Sequence, residues 1–350
     1  MSRQSVRQCS MALLVLAGIC GCGGTTGGES RTGAALATGR TLKFVGFDAS
    51  PELVEAMSEG KIQGLVVQNP YKMGQLGVKT LVAYLEKREV EPQISTGEVM
   101  ATPENMDEPE IKALLYPPKV EGNEATKGGG RKKWRVMVIP KGTTHEFWKT
   151  IHAGALKAAE DLGNVEVVWH GPEKESDRTQ QIELVQNAVA RRFDGIVLAP
   201  LDEEALVEPV EQAIDKGIPV VIIDSALNSK KPVSYVATDN YHGGVLAARR
   251  LGELLKGEGK IILLRYMVGS ASTEEREKGF TDTMQREFPK ITYLSADQYA
   301  GATADTAQSV AQSLITRYRG RIDGIFCPNE TSTYGMLRVL EEAGLVKAQR

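Results

Sequence analysis

Short apolar runs alternate with longer amphipathic stretches through most of the chain. Stretches with helical periodicity fall at 51–60, 72–85, 147–162, 180–192, 203–216, 243–255, 274–287, 303–317 and 332–343. Between them stand the runs LKFVGF, GLVVQ, WRVMVI, VEVVW, GIVLA, PVVII, KIILL, ITYL and GIFC. This alternation predicts βαβ units and parallel sheets that are covered on both faces. The number of units favours two Rossmann-like lobes, although it leaves a (β/α)₈ barrel open.

Two segments rich in small residues interrupt this pattern. Residues 23–40 predict a flexible tether, and residues 117–133 predict a flexible linker. Before the tether, Arg3 and Arg7 precede a short apolar run at 11–19, which is typical of a secretory leader. The run is shorter than the about 20 residues that a membrane span needs.

The end of the leader resembles a bacterial lipobox, because small residues precede a cysteine. Cys22 is the expected lipidation site and Cys20 is the alternative, while an ordinary cleaved signal stays open. The leader would then be 1–22. Of the 4 cysteines, only Cys327 would remain as a thiol, so no disulfide framework is expected.

Composition excludes some classes of protein. The chain of 350 residues has 41 % hydrophobic and 25 % charged residues and a formal net charge of −3, which gives no sign of nucleic-acid binding. Neither a GxSxG, Walker or HExxH motif nor zinc-spaced cysteines occur. We therefore expect no enzyme, no metal and no cofactor, although a hydrolase using Asp48 and Asp224 stays formally open.

Polar and aromatic residues recur just after the predicted strands, where open α/β sheets bind ligands. The candidates are Asp48, Gln68, Lys141, His145, Phe147, Trp148, Asp224, Ser225, Arg276, Tyr299 and Asn329. Carboxylates, amides and a guanidinium suit the paired hydroxyls of a sugar, and aromatic rings suit its apolar faces. The mixture therefore predicts a sugar site.

Each candidate also has an ordinary structural explanation. Asp48 could cap a helix, although Ser50 is better placed for that role. Asn329 could be a turn residue, Arg276 could form a surface ion pair, and Phe147 and Trp148 could be core residues. The hypothesis of a sugar site therefore depends on the whole set.

Several stretches together resemble the periplasmic sugar-binding proteins of the ribose/galactose type, which collect ligand for ABC importers. The resemblance covers 41–116 and 134–345. It is carried by HEFWKTIHAGALKAAEDLG, FDGIVLAPLDEEAL, GIPVVIIDS, VATDNYHGGVLAARRL, GSASTEEREKGF, GIFCPNETSTYGMLRVLEEAGL, KFVGFDASPELVEAM and GLVVQNPYKMGQLGVKTL. It implies the periplasmic-binding-protein type I fold, an α/β fold with two parallel-sheet lobes and a hinge.

The resemblance also assigns roles to the candidate residues. Asp224 matches the hydroxyl-binding aspartate of the family and Arg276 matches its cleft arginine. Ser225 departs from the arginine of ribose binders, so the sugar need not be ribose. Tyr299 would stand in for an aromatic residue of the second lobe. The other candidates match the remaining ligand contacts.

The order of the segments departs from that of the family. There, the stretch like 134–345 comes first, so this chain resembles a circular permutant in which 117–133 joins the usual ends. The second lobe would comprise 40–68 and 239–345, and the first lobe 69–97 and 134–238. Residues 98–116 correspond to the family's C-terminal tail. Hinge crossings are expected near 68–69, 97–98 and 238–239. The strand at 41–47 should lie in the same sheet as GIFC, with the helix at 332–343 packed between them.

The resemblance implies a monomeric, lipid-anchored protein of the periplasm or cell envelope. It would capture a monosaccharide or polyol and deliver it to the membrane subunits of an ABC permease. The alternatives are a protein that presents ligand to a chemotaxis or histidine-kinase receptor, and a non-functional permuted product. A regulator of the lac-repressor type would need a basic helix-turn-helix at the N-terminus, where the leader stands instead.

Overall fold

The computed structural model describes residues 42–118 and 134–348. The predicted leader and tether, and most of the predicted linker, lie outside the described residues. The strands are β1 (Lys43–Phe47), β2 (Gly64–Gln68), β3 (Gln93–Ser95), β4 (Glu98–Ala101), β5 (Trp134–Ile139), β6 (Val165–Trp169), β7 (Gly195–Leu198), β8 (Val220–Ile223), β9 (Ser234–Ala237), β10 (Glu258–Arg265), β11 (Lys290–Tyr299) and β12 (Gly324–Phe326). The helices are α1 (Pro51–Ser58), α2 (Pro70–Leu85), α3 (Pro109–Leu115), α4 (Glu146–Leu162), α5 (Arg178–Ala190), α6 (Val207–Asp215), α7 (Asn240–Leu254), α8 (Ala271–Glu287), α9 (Ala304–Arg317) and α10 (Glu330–Glu342).

The strands form two sheets, and each sheet is the centre of one lobe. The first lobe has the order β3-β9-β8-β7-β5-β6, with every neighbouring pair parallel. The second lobe has the order β11-β10-β12-β1-β2-β4, in which only β4 runs antiparallel to its neighbour. No helix within 42–118 or 134–348 is long and apolar enough to cross a membrane.

Each sheet is buried on both faces, which explains the nearly continuous apolar runs in its strands. In the second lobe, Phe44 belongs to a core with α1, α9 and α10, whereas its neighbour Val45 belongs to a core with α7 and α8. The first lobe divides in the same way, since Val136 packs with α2 and α4 and Met137 packs with α5 and α6.

Strand β1 lies beside β12, as predicted, although the two are far apart in the chain. Lys43 pairs with Gly324 and Val45 pairs with Phe326. Helix α10 covers this pair: the Phe47 N–H donates to the Thr333 hydroxyl at 3.2 Å, across 286 positions of the chain. The prediction that these two strands share a sheet is confirmed, whereas α10 packs against one face of the sheet rather than between the strands.

The chain passes between the lobes at the three expected places. It crosses after β2, between β3 and β4, and after β9. Polar side chains link the three crossing segments to one another. The Thr238 hydroxyl donates to Gln68 Oε1 at 2.8 Å and lies 3.5 Å from the Thr96 hydroxyl. A carboxylate oxygen of Glu98 also accepts the Asp239 N–H at 3.1 Å. The crossings therefore form one hydrogen-bonded connection.

Four short elements escaped the sequence prediction. Strands β3, β4 and β9 are only 3–4 residues long, and α3 has 7. Their sequences contain no apolar run or helical repeat of useful length, so only their tertiary partners define them. Strand β11 also continues past ITYL to Tyr299, through residues that we expected to form a loop.

Gly154 allows α4 to pack closely against α2. A Cβ at this position would lie 1.9 Å from the carbonyl oxygen of Tyr71, and Gly74 makes the reciprocal approach to Ile151 at 2.0 Å. Backbone atoms cannot move aside as a flexible side chain can. These two glycines therefore allow the short distance between α2 and α4.

Gly154→Ala is expected to destabilise the protein by about 1–3 kcal/mol, measured as the free energy of unfolding in urea. An alanine in a helix normally stabilises relative to glycine by about 0.5–1 kcal/mol, so the sign is informative. Gly77→Ala is the matched control, because its Cβ would meet only side-chain methyls, at 2.9 Å and 3.0 Å. A gain in stability for Gly154→Ala would contradict the close packing.

Candidate functional site

A cleft lies where the carboxyl ends of strands from both sheets face each other. The space in the cleft and at its mouth, open solvent included, is about 340 Å³. The predicted residues that line it are Asp48, Gln68, Lys141, His145, Phe147, Trp148, Asp224, Arg276 and Asn329. Residues that the sequence analysis missed also line it: Glu175, Tyr266, Ser270, Ser272, Thr273 and Glu330.

Both aspartates of the cleft leave their strands with a left-handed backbone. Asp48 has φ 68° and Asp224 has φ 64°, a region that aspartate tolerates better than most residues. Ser50 caps α1 by accepting the Leu53 N–H, so Asp48 is not that helix's cap, as expected. Each aspartate is thus turned out of its strand and into the cleft.

Asp48 is held by groups of its own lobe. Gln68 Nε2 donates to Asp48 Oδ1 at 2.5 Å, and the Glu330 N–H donates to Oδ2 at 3.0 Å. Burial raises the pKa of the Asp48 carboxyl, and the charge of Arg276 only partly offsets this effect. Gln68 also accepts from Thr238, so this amide links the cleft to the crossings between the lobes.

Lys141 and Asp224 form a buried ion pair at 3.0 Å, with both side chains 4 % exposed. Lys141 follows β5 in the first lobe and also donates to the hydroxyls of Ser270 and Ser272 in the second, at 3.3 Å and 3.1 Å. A buried ion pair is tolerated when additional hydrogen bonds satisfy the charges. This ion pair therefore stands where the two lobes meet.

One nitrogen of the Arg276 guanidinium is a buried donor with no acceptor among the described residues. Its Nε donates to Asn240 Oδ1 at 2.8 Å and its Nη1 donates to the Pro328 carbonyl at 3.0 Å. The guanidinium lies 3.9 Å from the ring centroid of Phe47, and the side chain is 2 % exposed. Nη2 is buried without a hydrogen-bond partner among the described residues. An unpaired donor of this kind is costly unless a ligand or water accepts from it.

The loop before α4 brings two aromatic residues and an imidazole to the cleft. Phe147 and Trp148 pack edge to face, with ring centroids 4.9 Å apart. Trp148 Nε1 donates to Glu175 at 2.6 Å, and His145 Nδ1 lies 2.5 Å from the same oxygen. Trp148 belongs to the core of the first lobe as well as to the cleft wall, so both interpretations of this residue hold.

Three predicted residues are placed differently from the others. Asn329 caps α10 by accepting the Ser332 N–H, while its Nδ2 donates to Thr331. The polar atoms of Asn329 are therefore used at the start of the helix.

Ser225 accepts the Ser272 N–H and lies outside the lining of the cleft. Tyr299 is 43 % exposed at the end of β11 and is likewise outside the lining. Tyr266, the residue after β10, is the aromatic that the second lobe supplies.

The placement of Tyr299 corrects our expectation, and the reason is the length of β11. Because the strand continues through Tyr299, which pairs with Arg265, this residue belongs to an edge strand rather than to a loop over the cleft. Tyr266 directly follows β10, at the start of the polar stretch RYMVGSASTEEREKGF. Glu330 follows Asn329 directly, whereas nothing in the sequence singled out Glu175.

Glu330 joins the two lobes at the start of α4. Its carboxylate accepts the Phe147 N–H at 3.2 Å and the Glu146 N–H at 3.4 Å. Burial and the nearby Asp48 carboxylate raise the pKa of Glu330 to about 7, although the charge of His145 opposes the shift. A raised pKa stabilises the folded state below the ordinary carboxyl value, and this stabilisation is lost as pH rises through 7.

The folded protein should therefore lose stability between about pH 5 and pH 8, and Glu330→Gln should reduce this loss. The measurement is the thermal midpoint as a function of pH for the two proteins. Glu104→Gln is the control, since Glu104 is a carboxylate outside the cleft that pairs with Arg250. Parallel profiles for wild type and Glu330→Gln would contradict the assignment.

The described parts of the chain contain no cluster of metal-binding side chains. Within 42–118 and 134–348, no group of three or more His, Cys, Asp or Glu residues could hold a metal ion. The cleft instead offers hydrogen-bond donors and acceptors beside aromatic faces. Such an arrangement binds a polar ligand by hydrogen bonds and stacking.

A family model described as "periplasmic binding protein domain" matches residues 10–89 and 136–349. The chain belongs to the periplasmic binding protein family. The predicted resemblance is confirmed at this level, and so is the α/β fold with two parallel-sheet lobes. The family consists of solute-binding proteins, which confirms the prediction that the chain is not an enzyme.

Curated relatives of this periplasmic binding protein are named for sugars and polyols. A D-ribose/D-allose-binding protein of Pseudomonas aeruginosa is 28 % identical over 219 residues, which cover 61 % of this chain and 67 % of that protein. A xylitol-binding protein of Mycolicibacterium smegmatis is 28 % identical over 181 residues, or 52 % of this chain. The alignment spans about half of the xylitol-binding protein, 51 %.

Similar solved structures also have sugars as their bound ligands. A carbohydrate transporter solute-binding protein of Agrobacterium radiobacter, in complex with D-arabinose, is 33 % identical with a TM-score of 0.59. That match covers 62 % of this periplasmic binding protein and 74 % of the other chain. An ABC transporter solute-binding protein of Agrobacterium vitis with bound D-fucose is 34 % identical, with a TM-score of 0.58 and coverage of 60 % and 73 %.

Proposed function

We propose that this protein is the sugar-binding component of an ABC importer and binds a monosaccharide or related polyol in the cleft between its lobes. The observation that carries this proposal is Arg276 Nη2, a buried donor that lines the cleft and lacks a partner among the described residues. A ligand hydroxyl or ring oxygen would supply the acceptor.

The rest of the cleft suits a neutral, polyhydroxylated ligand. Asp48 and Asp224 offer carboxylate oxygens beside the cationic groups of Lys141 and Arg276. Adjacent sugar hydroxyls can each donate to one such oxygen and accept from a neighbouring donor. The ring of Phe147 is available for the apolar face of a sugar. The names of the relatives support the same ligand class.

The test is a thermal-shift panel of D-ribose, D-allose, D-arabinose, D-fucose and xylitol. A ligand that binds only the folded state raises the thermal midpoint by mass action. At least one member should raise it in proportion to the logarithm of its concentration. If no member raises it, the cleft takes another class of ligand or the chain is an inactive product.

A ligand-presenting sensor is a second candidate. One similar structure, 25 % identical with a TM-score of 0.56, is the fructose-binding periplasmic domain of a hybrid two-component system. The same cleft would serve either role. Deleting the gene separates them, because an importer component is needed for sugar uptake whereas a sensor component is needed only for the response.

We also propose that the lobes are assembled in permuted order and that the protein is anchored by lipid at Cys22, with Cys20 as the alternative. The permuted order is supported by the pairing of β1 with β12, which places a strand from the front of the chain beside a strand from near its end. Its test is a reordered chain, in which the stretch 42–118 follows 134–348. That chain should keep the fold and the sugar affinity, and loss of both would contradict the proposal.

The lipid anchor rests on the leader-like sequence alone. Cys22→Ser should leave an unprocessed precursor in the membrane fraction, visible as a larger band than the mature protein. Cys9→Ser is the control, because Cys9 precedes the apolar run. Normal release of a mature protein from Cys22→Ser would reject lipidation at this residue.

A further inference from the structure

Glu175 is a buried carboxylate of the first lobe that is absent from the candidates of the sequence analysis. It stands in the loop between β6 and α5 and is 6 % exposed. Its Oε1 accepts from Trp148 Nε1 at 2.6 Å and from His145 Nδ1 at 2.5 Å. Its Oε2 accepts from the Tyr266 hydroxyl. Each donor also lines the cleft.

The three donors come from different lobes. His145 and Trp148 belong to the first lobe, as Glu175 does, and their bonds to it do not depend on the second lobe. Tyr266 follows β10 in the second lobe. Its bond to Glu175 exists only while the lobes are together, and a hinge opening at the crossings near Gln68 and Thr238 must break it.

Closing the lobes removes the Glu175 carboxylate from water. An ionised carboxylate is costly to bury unless its oxygens accept hydrogen bonds and a cation lies beside it. Tyr266 satisfies Oε2 on closure, and His145 supplies the cation at Oε1. Burial alone would raise the pKa of Glu175, but the hydrogen bond and charge of His145 lower it to about 2.

The same contact keeps His145 protonated. Burial alone would lower the pKa of His145, but the hydrogen bond and charge of Glu175 raise it to about 9, with smaller contributions from Glu330 and Asp48. Lys141, Asp224 and Arg276 are the other charged groups of the cleft. Because Nδ1 faces Glu175, Nε2 is the imidazolium donor that remains for a ligand.

We propose that Glu175 is a positioning residue that couples closure of the lobes to the ligand-binding side chains. It fixes the orientation of the His145 imidazolium and the Trp148 indole from within the first lobe, and it takes the Tyr266 hydroxyl only in the closed state. The inference rests on the proposed sugar-binding function, because it assigns a role in that same cleft.

The first test is Glu175→Gln, with Glu86→Gln as control, since Glu86 is a first-lobe carboxylate that accepts hydrogen bonds outside the cleft. The chain has 4 histidines, so His145 can be assigned by NMR with a His145→Gln variant. In Glu175→Gln, we expect the titration midpoint of His145 to fall by about two pH units, because the carboxylate is gone. An unchanged midpoint would overturn the inference, whether or not any sugar binds.

The second test is sugar affinity, measured with whichever member of the five-compound panel binds the wild type. The ratio of the dissociation constants of Glu175→Gln and wild type should rise about tenfold from pH 6 to pH 8, as His145 loses its proton in the variant. The titration of Glu330 contributes to both proteins and largely cancels in the ratio. A ratio independent of pH would show that Glu175 does not act through His145.

The third test measures the effect of the hydrogen bond between the lobes on release of the sugar. Tyr266→Phe keeps the bonds of Glu175 to His145 and Trp148 but removes the bond between the lobes. We expect about a tenfold faster release of the sugar with the pH dependence of the wild type, as for loss of one hydrogen bond to a charged group. Tyr334→Phe is the control, because its hydroxyl accepts from Arg338 outside the cleft. Unchanged release from Tyr266→Phe would refute the coupling to closure, whereas failure of all five compounds to bind the wild type would refute the proposed function instead.

Discussion

Replacing Arg276 with alanine is expected to weaken sugar binding by about a hundredfold or more, in keeping with hydrogen bonds to a charged group worth about 1.5–3 kcal/mol each. Arg276 Nη2 is the buried donor left without a partner, and the stacking on Phe47 fixes its direction. The loss should appear in the dissociation constant from calorimetric titration.

The same change also affects stability, because Asn240 and the Pro328 carbonyl lose their partner. Arg276→Lys separates the two effects, since a lysine keeps the charge but cannot reproduce the planar fork of a guanidinium. Arg250→Ala is the matched control: this arginine of the second lobe donates to the Gln63 carbonyl but lies outside the cleft. Sugar affinity equal to that of wild type in a folded Arg276→Lys would contradict the assigned role.

Replacing Asp224 with asparagine should have an effect of similar size, because it removes one partner of a buried ion pair. Truncation of such a pair costs about 2–5 kcal/mol in bound complexes, since the other charge is left unpaired. Here the remaining charge is the ammonium group of Lys141, whose side chain is 4 % exposed. Both sugar affinity and the free energy of unfolding should fall.

A double-mutant cycle with Lys141→Met distinguishes binding from stability. The double variant should recover part of the stability that Asp224→Asn loses, because it no longer buries an unpaired ammonium group. It should not recover sugar affinity, because one of the two carboxylate oxygens that accept from hydroxyls is still replaced by an NH₂ donor. Recovery of affinity in the double variant would show that Asp224 acts only through Lys141.

The cleft could be predicted from the sequence where a polar residue directly follows an apolar run. Asp48 and Asp224 follow β1 and β8, and the carboxyl ends of parallel strands gather at one edge of a sheet. This argument does not depend on the order of the strands in the chain. The prediction that β1 and β12 share a sheet is therefore confirmed. The same reasoning failed at Tyr299, because ITYL gave the start of β11 but not its length.

Contacts between the lobes could not be predicted from the sequence, for a different reason. Glu175 lies in a polar loop without periodicity, and its hydrogen-bond partner in the other lobe, Tyr266, is 91 positions away. Asn329, which the sequence allows as a turn residue, caps α10, while its neighbour Glu330 makes the contact across the cleft. Residues of this kind are defined by how two lobes meet, which no local pattern encodes.

The most direct test of the central claim is a calorimetric titration of the purified wild type with the panel sugar that gives the largest thermal shift. We predict saturable one-to-one binding that is strongly weakened in Arg276→Lys and retained in Arg250→Ala. Binding that is equal in all three proteins, or absent from the wild type for every member of the panel, would contradict the proposal that this cleft holds a sugar.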